Sequence, residues 1–260
     1  MEVVILSGSK PVAALAADAI EVLLRRRPGT VLGLATGSSP LPLYDELALR
    51  HERDGLDFSQ VRGFALDEYV GLPPGHPESY REVLMREFTE RVNISPANVL
   101  GPDGSAADIP AACRSFEDAL RGAGGVDLQL LGVGTDGHIG FNEPGSSLAS
   151  RTRIKTLIEQ TRRDNTRFFG SLAKVPHHVL TQGLGTILEA RHVILIATGA
   201  QKAQAVRDLV EGPVAAICPA SVLQLHPHAT ILLDEAAASS LRLADYYRHS
   251  YENKPSWQGL

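Results

Sequence analysis

Short apolar runs rich in valine, isoleucine and leucine recur along this chain, each followed by glycine or polar residues and then by a segment of helical periodicity. Such alternation is how βαβ units read, because a parallel strand is reached only through a crossover long enough to hold a helix. The runs at 3–6, 31–35, 61–66, 126–133, 193–197 and 230–233 are expected strands, and their lack of polar alternation predicts burial on both faces. In the first helix Ser9 is the expected N-cap and Pro11 sits in the first turn. Val12, Leu15, Ala16, Ala19, Ile20 and Leu23 then follow at 3.6-residue spacing, until Arg25-Arg26-Arg27-Pro28 ends the helix with base and breaker. Further helices are expected near 40–53, 79–91, 106–121, 201–209 and 220–225. With no internal repeat or linker, the expectation is an α/β fold, a single three-layer domain over 1–260 with a mostly parallel, Rossmann-like central sheet. The polar, aromatic residues 244–260 are expected to form a C-terminal surface extension or lid.

Composition removes several classes of function. Twenty-five Lys and Arg against 30 Asp and Glu give the 260 residues a formal charge of −5, so no general basic field exists for nucleic acid or an anionic membrane. Any anion site must be local. Cys113 and Cys218 lack the spacing of zinc ligands and are expected to be reduced, buried thiols. The run at 3–6 follows Glu2 and is too short for a signal-peptide core, and no apolar run approaches a membrane span. The expected location is the cytoplasm.

Ligands of open α/β sheets bind beyond the carboxyl ends of the strands, so the residues after each run carry the functional reading. After 31–35 come Thr36-Gly37-Ser38-Ser39-Pro40, where glycine, hydroxyls and a helix N-terminus suit a phosphate. An ordinary βα turn reads the same way. After 61–66 come Asp67-Glu68-Tyr69; an isolated Asp-Glu usually caps a turn with one carboxylate and exposes the other, but a strand end favours function. After 126–133, a loop places Asp136, His138 and Glu143 among glycines. A carboxylate can hold an imidazole in one tautomer, as general acid/base chemistry requires. Residues 151–167 hold six basic side chains (Arg151, Arg153, Lys155, Arg162, Arg163, Arg167) against Glu159 and Asp164, a local positive excess that meets the need for an anion site. Most of the six also fit a solvated helical face. A second glycine turn, Thr198-Gly199-Ala200-Gln201, leads to Lys202, a point charge for phosphate. His226-Pro227-His228 precedes a strand and reads as structural.

Together these segments resemble the glucosamine-6-phosphate deaminase (isomerase) family, within a wider group of 6-phosphogluconolactonases and sugar-phosphate-sensing regulators. The resemblance rests on L-x-x-A-T-G-S-S-P at 32–40, L-D-E-Y-V-G-L at 66–72, H-P-E-S-Y at 76–80, G-V-G-T-D-G-H-I-G-F-N-E-P at 132–144, S-L-A-S-R-T-R-I-K-T-L at 147–157 and L-Q-L-H-P at 223–227. It implies conversion of D-glucosamine 6-phosphate and water to D-fructose 6-phosphate and ammonia, with no metal or organic cofactor. By the same resemblance Asp67 is the base that moves a proton from C2 to C1. His138 opens the sugar ring, and Asp136 and Glu143 orient the histidine. Thr36, Gly37, Ser38, Ser39, Arg167 and Lys202 hold the substrate and its phosphate. Some family members are hexamers activated by N-acetylglucosamine 6-phosphate, which makes Ser147, Arg153 and Lys155 candidate allosteric residues and a homo-oligomer a candidate assembly. The competing expectations are a 6-phosphogluconolactonase-like hydrolase, which needs no carbon-acid base at Asp67, and a non-catalytic sugar-phosphate-sensing domain.

Overall fold

The apolar runs assemble into one parallel sheet. In the computed structural model, which describes residues 1–255 and 257–260 and all their side chains except those of 160 and 164, the strands are, in chain order, β1 (Glu2–Leu6), β2 (Val31–Leu34), β3 (Arg62–Ala65), β4 (Asp67–Tyr69), β5 (Val99–Leu100), β6 (Leu128–Leu131), β7 (Arg153–Thr156), β8 (His178–Thr181), β9 (His192–Ala197) and β10 (Ala229–Asp234). The helices are α1 (Ser9–Arg26), α2 (Leu41–Asp54), α3 (Tyr80–Glu87), α4 (Ile109–Gly122), α5 (Glu159–Phe169), α6 (Leu184–Ile187), α7 (Ala203–Val210) and α8 (Ala244–Glu252). Seven strands form the central sheet in the order β1-β10-β9-β6-β2-β3-β5, with every pairing parallel. β9 and β10 are apolar almost throughout and buried along nearly their whole length, as two covered faces require.

The order of strands fixes where the helices lie. From β2 the chain winds outward through β3 to β5, and from β6 it winds the other way through β9 to β10. Right-handed crossovers in opposite directions place their helices on opposite faces, so α1 and α2 cover one face and α4 and α7 the other. α1 packs directly against α2. The winding reverses between β2 and β6, which are sheet neighbours although about ninety residues of chain separate them.

The structure adds a second sheet, redraws two local elements and places the C-terminal tail. A second sheet, β4-β8-β7, is antiparallel and was not legible as strands, because its members are three or four residues long and β7 alternates half-buried with exposed residues. The segment expected as a helix at 220–225 is a 3-10 turn over Pro219–Leu225, and α1 is capped by Gly8, whose carbonyl accepts Val12 N–H at 3.2 Å, with Ser9 already inside the helix. The tail 244–260, whose residue 256 lies outside the described residues, packs α8 on β1 and pairs Lys254 with Glu2 at 2.6 Å. Lys254 lies at the starting edge of the strands, opposite to the loops singled out above, while Arg248 on α8 reaches Glu235, just past the end of β10. Cys113 and Cys218 are both buried and unpaired.

At the starting edge one buried carboxylate ties three segments. Asp127, just before β6, accepts Val31 N–H at 2.8 Å and faces the guanidinium groups of Arg27 at 2.5 Å and Arg191 at 2.9 Å. Asp127→Ala leaves a buried amide without an acceptor and separates two cations from their anion. The expected cost is about 2–4 kcal/mol of unfolding free energy, read from urea unfolding with an unchanged slope.

Candidate active site

The reversal point opens a crevice at the carboxyl ends of the strands. β2 and β6 pair only at Leu32↔Leu128 and Gly33↔Gln129, whereas β2 stays with β3 to Leu34↔Ala65 and β6 stays with β9 to Leu131↔Leu195. Beyond Gly33 and Gln129 the two strands therefore part. The turn after β2 enters this gap. Gly37 has φ +96°, a conformation that favours glycine, and Ser39 rests against Gly132 at the end of β6. Among the described residues none accepts from the backbone amides of Gly37, Ser38 or Ser39, and the N-terminus of α2 carries no side-chain cap. Three amides, the hydroxyls of Thr36, Ser38 and Ser39 and the positive end of a 14-residue helix thus form an anion cradle. Two strands away, the turn after β9 is anchored by Asp234, which accepts Gly199 N–H at 3.0 Å, and half-buried Lys202 ends that turn.

Asp67 and Glu68 are adjacent in sequence and have opposite surroundings. Glu68 accepts the amides of Tyr69, Tyr80 and Arg81 at 2.8 to 3.0 Å and so caps the start of α3. Asp67 is 5% exposed, and among the described residues no group donates a hydrogen bond to its carboxylate. Burial, reinforced by the neighbouring Glu68 charge, pushes its carboxyl well above the usual carboxylate range. A Cβ on Gly140 would stand 3.6 Å from Asp67 Oδ2, so the carboxylate faces the backbone of the histidine loop.

That loop leaves β6 and folds back on itself. Gly134 donates to His138 O at 2.9 Å, and the imidazole covers the Gly134 Cα so closely that a Cβ there would lie 2.2 Å from Cε1. Only glycine leaves room for this ring. His138 Nδ1 lies 2.6 Å from Asp136 Oδ1, and this bond holds the Asp136 carboxyl below its ordinary value. An ionised carboxylate only accepts, so Nδ1 carries hydrogen and Nε2 is the nitrogen presented away from Asp136. Glu143, expected as a second orienting carboxylate for His138, is held elsewhere. It is 5% exposed and accepts Thr161 Oγ1 at 2.9 Å and Ile158 N–H at 3.5 Å, at the start of α5. The α5 N-terminus has no other side-chain cap, which is the physical reason the carboxylate turns there.

The expected basic cluster at 151–167 is dispersed rather than gathered. Arg151 pairs with Glu117 and Glu189, and Arg163 with Glu159. Arg162 donates to the carbonyls of Leu172 and Val175 at 2.9 and 3.1 Å. Arg153 donates to Asn142 Oδ1 at 2.9 Å, and burial draws its guanidinium below the usual arginine value. Arg167 is exposed on α5 with Cζ 4.7 Å above the Phe168 ring. Arg153 and Lys155 share the half-buried face of β7, while Ser147 lies in the exposed turn before it and its Oγ accepts Ala149 N–H at 3.3 Å. Four of the six, Arg151, Arg153, Arg162 and Arg163, answer acceptors of their own, so net positive charge in sequence does not become one field in space.

Several residues at the site carried no reading in the sequence. Beside Asp67, Tyr80 stacks on Phe141 and Tyr69 meets Phe169 edge-on, and Asn165 on α5 donates to Tyr69 Oη at 3.1 Å. Thr181, Gln182 and Asn142 lie buried between the Asp67 strand and the histidine loop. Outside a glycine turn such as 36–39, a neutral polar residue gives little signal in a single sequence, since only its neighbours in space reveal what it bonds. Among the described residues no three His, Cys, Asp or Glu side chains converge as metal ligands.

A family model described as glucosamine-6-phosphate isomerases/6-phosphogluconolactonase matches residues 8–232 of the chain. A glucosamine-6-phosphate deaminase of Arthrobacter sp. (strain FB24) is 80% identical over 260 residues, covering 100% of both chains. One from Streptomyces coelicolor is 64% identical over 261 residues, again with 100% of each chain covered. A solved structure described as a monomeric glucosamine-6-phosphate deaminase superposes with a TM-score of 0.90 at 40% identity, over 92% of this chain and 100% of that one. A 6-phosphogluconolactonase from Trypanosoma brucei shares the fold, with a TM-score of 0.73 at 21% identity over 92% of this chain and 98% of that one.

The Asp136–His138 contact makes a titration prediction. Removing the imidazole in His138→Ala should return the Asp136 carboxyl upward toward its ordinary value, as followed by carbon-13 NMR. A depressed carboxylate contributes stability above the ordinary carboxylate range and loses it as pH falls through the depressed value, so the variant's acid unfolding should begin at higher pH.

Proposed function

The chain belongs to the family of glucosamine-6-phosphate isomerases and 6-phosphogluconolactonases, and within it we propose the deaminase reaction: D-glucosamine 6-phosphate and water give D-fructose 6-phosphate and ammonia. The single observation that carries this choice is the buried Asp67 facing the His138 loop, because moving a proton between carbons needs a strong, shielded base. Ester hydrolysis of a lactone has no such need.

In this reading the phosphate sits in the cradle of Thr36, Gly37, Ser38 and Ser39, with Lys202 and Arg167 adding cationic charge. His138 Nε2, the nitrogen left free by the Asp136 bond, takes the proton of the ring hydroxyl and returns one to the ring oxygen as the pyranose opens. Asp67 then removes the proton from C2 and delivers it to C1, while a proton leaves the 2-amino group for the C1 oxygen, giving a C1 alcohol and a C2 imine. The resulting C2 imine takes up water and expels ammonia, which balances the reaction without electron transfer. Burial raises the basicity of Asp67, and Asp136 keeps the imidazole in one tautomer. Glu143 serves indirectly, by fixing the first turn of α5, the helix that carries Arg167.

Ser147, Arg153 and Lys155 stand as candidates for a second sugar-phosphate site. Sedimentation, with rates measured in the presence and absence of N-acetylglucosamine 6-phosphate, distinguishes that role from the fixed bond between Arg153 and Asn142.

The primary test offers glucosamine 6-phosphate, its N-acetyl form and 6-phosphogluconolactone, and measures ammonia, fructose 6-phosphate and acid. Ammonia and fructose 6-phosphate from the first alone is the expected result; acid from the lactone overturns the reading. Asp67→Asn should lower kcat by about 10²–10⁴-fold with KM little changed. Because the folded carboxyl is raised above its unfolded value, its ionisation costs stability as pH rises through that window. Asp67→Asn should therefore also melt higher than the parent at neutral pH, and this pairing of lost activity with gained stability is checked by calorimetry. Arg167→Gln should chiefly raise KM for the phosphorylated substrate, and an unchanged KM removes Arg167 from the binding site.

A further inference from the structure

The two groups assigned to proton transfer are carried by different parts of the fold. Asp67 opens β4 in the small antiparallel sheet, and His138 hangs from β6 in the large parallel one. Thr181 lies between them. It ends β8, the middle strand of the small sheet, paired across to Asp67 on one side and to Arg153 on the other. It is fully buried, and its Oγ1 accepts Phe141 N–H at 3.1 Å and donates to Gln182 O at 3.3 Å. A Cβ on Gly140 would meet Thr181 Oγ1 at 3.0 Å, so the hydroxyl touches the loop at the same residue that faces Asp67.

Asn142 and Gln182 complete this connection. Asn142 Nδ2 donates to Ile139 O at 2.9 Å and to Gln182 O at 2.8 Å. Gln182 in turn donates its backbone N–H to Leu66 O at 2.8 Å and Nε2 to Ala65 O at 3.1 Å. The histidine loop is thus fastened at residues 141 and 142 to residues 181 and 182, and these to the residues immediately before Asp67.

We propose that Thr181 is a positioning residue for the proton-transfer chemistry, its hydroxyl fixing the His138 loop against the strand that carries Asp67. This rests on the deaminase reading above. A displacement of about 1 Å between a base and its target is enough to cost roughly a hundredfold in rate, and a hydroxyl that bonds a backbone amide resists such displacement. Among the described residues, the titratable and charged groups that interact with Asp67 are Glu68 on its own strand and the phenols of Tyr69 and Tyr80, and Arg153 on β7 stands in register across Thr181. None of these bonds Thr181 through its side chain, so removing the hydroxyl alters position without removing a charge.

The test compares Thr181→Val, which keeps the branched shape and loses the hydroxyl, with Thr181→Ser, which keeps the hydroxyl. Thr181→Val should lower kcat by about tenfold or more while KM changes far less. Its acid limb in the pH profile of kcat/KM should move to lower pH, because a loosened loop lets water reach the Asp67 carboxyl. Thr181→Ser should restore both. Far-UV circular dichroism and the melting curve establish that Thr181→Val is folded at the assay temperature. Unchanged kcat and pH profile in folded Thr181→Val overturn the proposal, as does a serine variant no better than the valine one. A loss of rate with the parental pH profile, in proportion to the fraction unfolded, also overturns it by assigning Thr181 a purely structural role. Absence of ammonia release by the unsubstituted protein is a separate result, which removes the functional reading itself.

Discussion

β2 and β6 are neighbours in the sheet although about ninety residues separate them in sequence, and the helices leaving them must diverge to opposite faces. The gap between those two departures is bounded by backbone rather than by movable side chains. Because the β2–β6 ladder ends one residue before the end of β2 and two before the end of β6, the amides of the β2 turn and the loop after β6 point into shared space with no strand between them. Everything assigned to the phosphate and to ring opening follows from that parting. The cradle needs free amides, and amides are free only where a ladder has stopped. The histidine needs an exposed edge close to them, and Gly132, against which Ser39 rests, begins its loop.

The proton-transfer base comes from a different solution. After β3 the chain passes through Leu66 and immediately pairs in the antiparallel sense, so Asp67 is carried off the main sheet and roofed by β8. The small sheet is itself held down by a buried carboxylate. Glu117 on α4 accepts Thr152 N–H at 2.9 Å and the hydroxyls of Thr152 and Thr186 at 2.6 Å, with Arg151 completing its shell. These donors outweigh its burial and keep its carboxyl below the ordinary value. Asp67, of similar exposure, has no donor among the described residues and is pushed the other way. Two carboxylates of similar exposure thus differ in acidity because hydrogen-bond donors and the Arg151 guanidinium hold one down while burial and the Glu68 charge push the other up, one suited to fastening strands and the other to accepting a proton.

The same contrast explains which parts of the molecule were legible in the sequence. The parallel sheet was legible because burial on both faces leaves continuous apolar runs, and 192–197 and 229–234 could hardly be read otherwise. The strand-end loops were legible because glycine, histidine and paired acids are unusual together. The second sheet was not, since β7 reads Arg-Ile-Lys-Thr and is held by pairing to β8 more than twenty residues away. α5 was not resolved as an element either, since its sequence EQTRRDNTRFF offers charge where a helix usually shows an apolar stripe. The charge itself misled in one respect. Counted along the chain, 151–167 is a positive patch, but the side chains disperse to Glu117, Glu189, Glu159 and backbone carbonyls.

Glu68 and Glu143 carry that lesson one step further. Both lie beside residues assigned to chemistry, and both carboxylates turn toward helix N-termini, Glu68 to α3 and Glu143 to α5. Sequence proximity to a catalytic group is therefore a poor guide to contact with it. A helix start presents unpaired amides that attract the nearest carboxylate, and the residue left without such a start nearby remains unbonded. In this chain that residue is Asp67. Its neighbour's attachment to α3 removes a competing acid from the crevice and orders the aromatic wall of Tyr69 and Tyr80 that shields the base. The adjacent pair of acids is thus best understood as one structural group and one chemical group, with the first creating the dry surroundings on which the second depends.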